Sequence, residues 1–366
     1  MLFSPLKRVN QALKPLPQEI VKPVRKRELW VGLIGTLLVL LLCNGLADLF
    51  LNYLNSNRGY FLVSLKWNLL MQQSRPVDWL IVGDSSCNQG VDPDVLMDEL
   101  GGQALNLCTV GSMLTIDDVW MLEQHINQVG PPRNLVIVHV YDIWHRDVEE
   151  ETLAHLAQIP LSNDELDKFS LPLSLEPEDR LELFLHRSIP LYSANKSLEE
   201  WIREPVESFR ESREFIVTDR GFMPRKEINQ SLFSQDVRKH LEFVGDHHFE
   251  RSAINQKTLE QIRTFAEQYQ IEVYLTSAPL YEGLYQDEEF RRYFRQMQRS
   301  LSDFAETSDR FHIILKNPVT FNAEEMQNTD HLLAPAAETY TRRLARAIAQ
   351  QATQDQATQD QRTQQP

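Results

Sequence analysis

The distribution of apolar residues divides this chain before any motif is sought. From Leu29 to Ala47 it runs nineteen residues without a charge, mostly Leu, Val and Ile, and Leu49, Phe50 and Leu51 extend the stretch past Asp48. About 20 apolar residues in a helix cross ~30 Å of hydrocarbon, so residues 29–51 are expected to be a single transmembrane signal anchor. Beyond it, five short apolar runs predict strands at 78–84, 103–110, 134–142, 272–280 and 311–316. Their near-continuous apolar character suits parallel strands covered on both faces. Helical spacing between them predicts helices over 116–129, 252–269, 287–306 and 336–349, with Ser252 placed as a cap. Strands alternating with helices imply an α/β fold, a doubly wound, mostly parallel five-stranded sheet.

Two segments break the alternation. Residues 145–251 are charged, aromatic and punctuated by prolines, and read as a mostly helical insertion over the sheet's C-terminal edge. That is the edge where open α/β sheets bind ligands, so the insertion is either a lid or a partner-docking subdomain. Residues 350–366 carry a duplicated ATQDQ unit and almost no apolar residues, a composition that predicts disorder. The expected organisation is a tail at 1–28, the anchor at 29–51, α/β halves at 52–144 and 252–349, the insertion at 145–251, and the terminal tail.

Charge adds an address. The 366 residues carry 37 Lys and Arg against 52 Asp and Glu, a net −15. Residues 1–28 hold seven basic and two acidic residues, a net +5, which leaves −20 for the rest. Positive residues flanking a span stay cytoplasmic, so the acidic body is expected across an inner membrane, in a periplasmic or other extracytoplasmic space. The acidic balance argues against nucleic acid as a partner. Three cysteines exclude a disulfide scaffold, and no Cys/His spacing or HExxH motif suggests a metal or cofactor, so none is expected. Cys87 and Cys108 fall near the ends of the first two strands, either as a pair or as two small core residues.

The candidate chemistry lies at strand ends. The first strand runs into Gly83-Asp84-Ser85-Ser86, which presents a serine just past the sheet edge. The second leads from Asn106 to Gly111, whose N–H could approach a reacting oxygen. Asp330-His331 precedes the last helix, where a histidine could take the serine proton. These blocks resemble the SGNH (GDSL-type) hydrolase superfamily: Gly83, Asp84 and Ser85 in the first, Asn106 and Gly111 in the second, His331 ahead of Ala334, Ala336 and Ala337 in the last. The resemblance covers about 78–145 and 252–349 and implies an SGNH/flavodoxin-like sheet. Its overall plan is similar to membrane-anchored bacterial members resembling alginate O-acetylation and teichoic-acid D-alanylation factors.

The resemblance implies Ser85 as nucleophile, His331 as general base and Asp330 or Asn328 to orient it. Ser85, Gly111 and a third-block residue at Asp142 would form the oxyanion hole. Two positions depart from the family pattern. Asn328 stands where an Asp usually orients the histidine, and Asp142 stands where an Asn donor is usual; an ionised carboxylate cannot donate. Tyr141 and Trp144 are expected near the cleft as sugar-stacking platforms. The function implied is a serine esterase or O-acyltransferase on a cell-surface polysaccharide, with a membrane acyl-donor or export protein as partner. The alternative is a catalytically inactive binding or assembly protein of such a system.

Overall fold

The computed structural model describes residues 26–53, 58–171, 173, 175–203, 205, 216–226 and 230–363. Of the basic tail, residues 1–25 lie outside these. Helix α1, Lys26–Tyr53, contains a stretch from Arg27 to Leu51 that is long and apolar enough to cross a membrane. Its leucines are largely exposed, as in Leu38 and Leu42, so it is no core helix of the α/β body. Helix α2, Arg58–Met71, follows and leads into the sheet.

The five expected strands all form, shorter than the apolar runs because the ends of those runs become turns. They are β1 Trp79–Gly83, β2 Ala104–Asn106, β3 Asn134–His139, β4 Glu272–Ser277 and, after the two-residue β5 Leu280–Tyr281, β6 Phe311–Ile313. All pair in parallel in the order β2-β1-β3-β4-β6, with Ile81 opposite Val136 and Leu275 opposite Ile313. A strand β7, Thr320–Phe321, pairs with β5 in a separate small ribbon.

Helices cover both faces, as the buried strands require. Ser85–Gly90 (α3), Pro93–Leu100 (α4) and the last helix lie on one face, and Leu96, Tyr340 and Leu344 join its core. Ile116–Val129 (α5) lies on the other, with α2 and two later helices. The order reverses between β1 and β3, so β1 and β3 leave a crevice beyond their carboxyl ends.

The interval 145–251 is mostly helical. It contains α6 Glu150–Leu156, α7 Pro177–Ser188, α8 Pro190–Ser193, α9 Asn195–Arg203 and α10 Gln230–Asp246. Then come α11 Ala253–Tyr269, capped by Ser252 as its sequence predicts, and α12 Glu288–Ala305, capped by Asp287. The last helix, α13, spans Ala334–Thr363 and differs from the expected disorder of 350–366. Ala and Gln tolerate a helix and no Pro or Gly interrupts the repeat before Pro366, so an established helix propagates through it. Asp355 in that extension lies 3.4 Å from His312.

One segment of the insertion is bolted to the sheet. Gly221 sits so close to the Asn106 carbonyl that a Cβ would fall 1.9 Å from its oxygen, and the Asn106 N–H donates to Arg220 at 2.9 Å. Lys66 of α2, fully buried, donates its ammonium to the Asn106 and Gly221 carbonyls and to Asn106 Oδ1. Burial pushes its pKa well below the usual lysine value. Lys66→Met would strand these buried acceptors, each worth about 1–3 kcal/mol when left unpaired. The expected result is a lower thermal midpoint for the detergent-solubilised chain and earlier proteolysis within 216–226; an unchanged midpoint would refute the role of the clamp.

Candidate active site

The turn after β1 is fixed by crowding and by one carboxylate. Gly83 has φ +149°, and a Cβ there would meet the Val138 carbonyl oxygen at 1.9 Å, so only glycine lets β1 approach β3 at this point. Asp84 Oδ1 accepts from the Ser86 and Cys87 N–H groups at 2.9 and 3.3 Å, capping α3. Its other oxygen accepts from the Val140 N–H at 2.7 Å. Asp84 therefore serves the turn, while Ser85 is left half-buried at the cleft. Cys87, two residues on, is disulfide-bonded to Cys108, with Cα atoms 5.8 Å apart. The bond fastens the serine-bearing helix to the loop that carries Gly111.

The His331 ring is contacted by both residues that the sequence offered to orient it, Asp330 and Asn328. Adjacent residues seldom turn their side chains together, yet Asp330 Oδ1 lies 2.7 Å from His331 Nδ1. Asn328 Oδ1 lies 2.9 Å from the same nitrogen and accepts the His331 and Asp330 backbone N–H groups at 2.9 and 3.2 Å. Asn328 thus folds 328–331 into a tight turn that bends Asp330 back onto the imidazole. With Nδ1 occupied, Nε2 is the nitrogen left to exchange a proton. Burial opposes the imidazolium, but the charge and hydrogen bond of Asp330, then Asp84, raise the His331 pKa above the ordinary value. Burial alone would raise the Asp330 pKa, but His331, His240 and Arg146 hold it well below the carboxylate range. Among the described residues Ser85 Oγ makes no hydrogen bond, to His331 or to any other group.

A cleft of about 370 Å³ collects Asp84, Ser85, Gly111, Asp330 and, from the insertion, Arg146, Glu151 and His155. The backbone N–H groups of Ser85 and Gly111 donate to no protein group among the described residues. Asp142 does not stand as a donor. Its Oδ2 accepts from Arg146 Nε at 3.2 Å and from Nη2. Arg146 Nη1 reaches to 3.5 Å from where a Cβ on Gly111 would lie. Arg146, four residues after Asp142, thus brings a cationic N–H group close to Gly111. Ser112 Oγ, also lining the cleft, lies 3.0 Å from His155 Nδ1.

Below the cleft lies a buried chain of charge. His139, wholly buried at the end of β3, has Nε2 2.6 Å from Asp118 Oδ2 and Nδ1 3.4 Å from Asp84 Oδ2. Burial disfavours its charge, but the two carboxylates outweigh that and lift its pKa to about 10. The Trp144 ring packs at its edge, 5.3 Å between centroids. Asp117, next to Asp118, accepts from Trp67 Nε1 at 2.9 Å, and burial raises its pKa to about 7.

Tyr141 and Trp144 do not offer the open sugar-stacking faces expected of them. Each is 1% exposed, because the turn after β3 directs them into the core against α10, α11 and α12. Tyr141 OH lies 2.6 Å from His240 Nδ1, and its ring packs on Phe290 at 4.6 Å. Among the described residues one group could hold a metal ion. Asp236, His240 and Asp330 place a ligand atom each within 4.8 Å of one another, although Thr329, Tyr141 and His331 already bond them. Arg146, Asp118 and the ion-pairing role of His139 escaped the sequence reading. Arg146 carries a faint signal, a basic residue four positions after the acidic third-block residue; His139 has none, since nothing in an apolar strand reveals which buried polar group will face it.

No family model and no curated protein matches this chain. Among solved structures it is similar to one from Streptococcus pneumonia described as a "putative platelet activating factor". That match covers 81% of this chain and 95% of the other at 13% identity and a TM-score of 0.36, too distant to carry an argument about chemistry.

The His139 pKa has a thermodynamic consequence with a definite sign. A folded value of about 10, above the unfolded value of about 6.5, gives a stability contribution fully present below 6.5 and lost as pH rises through 10. The stability gap between the wild-type chain and His139→Gln should therefore shrink between pH 6.5 and 10 in denaturant titrations. A gap that is flat or widens over that range would contradict the ion-paired imidazolium.

Proposed function

We propose that this protein is a membrane-anchored serine esterase or O-acyltransferase of SGNH type, acting through an acyl-Ser85 intermediate. The observation that carries the reading is the His331 imidazole, held at Nδ1 by Asn328 and by Asp330, which lines the same cleft as Ser85. In this mechanism Nε2 takes the Ser85 proton as Oγ attacks the acyl carbon, and the imidazolium then protonates the leaving oxygen. The carbonyl oxygen becomes an oxyanion facing the Ser85 and Gly111 N–H groups, with Arg146 Nη1 as the third donor in place of an Asn. Donors placed in advance of the reaction stabilise such a transition state by about 3–4 kcal/mol each. Ser85 and His331 are not hydrogen-bonded in this state; catalytic hydrogen bonds often tighten only when substrate is bound.

The compartment and substrate belong to the same proposal. A disulfide in a bacterial-type anchored protein fits an oxidising space outside the cytoplasm, on the side opposite the basic tail. A tethered esterase in that space acts on what the surface presents, and an acylated surface polysaccharide is the substrate class proposed, with a membrane acyl-donor or export protein as partner. The absence of a hydrogen bond between Ser85 and His331 favours a second reading, a non-catalytic domain that keeps the cleft to bind a polymer.

Two experiments separate these readings. Ser85→Ala should lower hydrolysis of a small aryl acetate by about 10³-fold or more, and a fluorophosphonate should label Ser85 in the parent chain. No labelling, and equal rates in parent and variant, would leave the binding reading. The raised His331 pKa predicts that kcat/KM climbs with pH through a midpoint above that of an ordinary histidine and then levels off, because only the neutral imidazole accepts a proton. Asp330→Asn removes the charge that raises it, so the acid limb should move to lower pH as the plateau falls; an unmoved limb would remove Asp330 from the mechanism.

A further inference from the structure

The helices α7 to α9 of the insertion have no part in the cleft, yet they are packed against the anchor. Ala47 and Phe50 are buried residues of α1, and they meet Ala194, Leu191 and Leu198. Trp201 of α9 packs on Phe50 edge to face, 6.0 Å between ring centroids. Asn44, an amide inside the apolar stretch, accepts the Leu191 N–H at 3.1 Å. An amide in hydrocarbon has no water to bond, so that partner satisfies a group the bilayer would leave unpaired.

Depth follows from the helix rise. Asn44 lies seven residues before Leu51, about 10 Å at ~1.5 Å per residue. The backbone at Leu191 therefore sits below the end of the span, not above it. The same helices expose large apolar side chains: Leu181 at 58%, Phe184 at 56% and Ile202 at 74%. Leu181 and Phe184, three residues apart on α7, share a face. Both signs of charge occur on these helices, Glu178, Arg180, Glu199 and Arg203 among them, so charge does not single out an anionic partner.

We infer that α7–α9 lie in the lipid interface beside the span, with Phe184 and Ile202 among the acyl chains near the headgroups. The depth matches the ~5–10 Å to which interfacial helices sink, and a tryptophan beside Phe50 suits that layer. The occupant of this apolar face is the bilayer itself, because α8 and α9 pack on the end of α1, whose own exposed surface lipid must cover. The inference rests on the reading of α1 as a span and fixes what that reading leaves free, the height and orientation of the body over the membrane.

The test uses the full chain in phosphatidylcholine nanodiscs, one chain per disc. In a Cys43→Ala background, with Cys87 and Cys108 oxidised, a fluorophore is placed singly by Phe184→Cys, Ile202→Cys, Leu38→Cys and Glu306→Cys. Labels at 184 and 202 should be quenched more by lipids spin-labelled near the headgroup than by lipids labelled at the chain end. The order should invert at 38, and 306 should be quenched by neither. Quenching at 38 but not at 184 and 202 would overturn the inference and leave the span standing. Loss of quenching at 38 would remove both. Shielding of 184 and 202 from water without lipid quenching would mean that protein covers the face, and would overturn it too.

Discussion

A buried imidazolium between two carboxylates holds this site together. His139 ends β3, Asp84 follows β1 and Asp118 lies on α5, so the ion pairs join three parts of the fold where the sheet order reverses. A lone charge at that depth would be prohibitive, and removing the imidazolium would leave two buried carboxylates without a counter-charge. Asp84 is the shared member. One oxygen caps α3 and the other holds the start of the third-block turn, so the serine and the Asp142–Arg146 pair are positioned by one side chain. The position of the nucleophile thus depends on a group that does no chemistry in the proposed reaction.

The sheet was legible in the sequence because it rests on short-range pattern. Buried parallel strands must be apolar throughout, and WLIVG and NLVIVH are; the helix boundaries at Ser252 and Asp287 were visible because caps are local. Ser85, Gly111 and His331 could be singled out because each sits next to an element end. The composition of 350–366 misled because few apolar residues need not prevent a helix that is already nucleated at Ala334.

What the sequence concealed is long-range. Lys66 and Gly221 are 155 residues apart, His139 and Asp118 are 21, and nothing local pairs them. Tyr141 and Trp144 were misplaced because an aromatic near a strand end serves a cleft or a core according to the direction of the next turn. Asn328, a departure from the family pattern by residue type, proves useful in this geometry. As the acceptor for two backbone N–H groups it creates the turn that lets Asp330 do the orienting.

On the proposed placement of the body outside the cytoplasm, the Cys87–Cys108 bond gives the protein a chronology. It closes a loop containing α3, α4 and β2 and joins the serine helix to the strand that leads to Gly111. In a reducing cytosol a newly made chain would lack that closure, and the two walls of the cleft would be joined only by packing. An anchored body that meets oxidant only after crossing the membrane would gain its final cleft geometry at its destination. Export would then be a maturation step as well as transport, and a copy retained inside would be a latent form of the same protein.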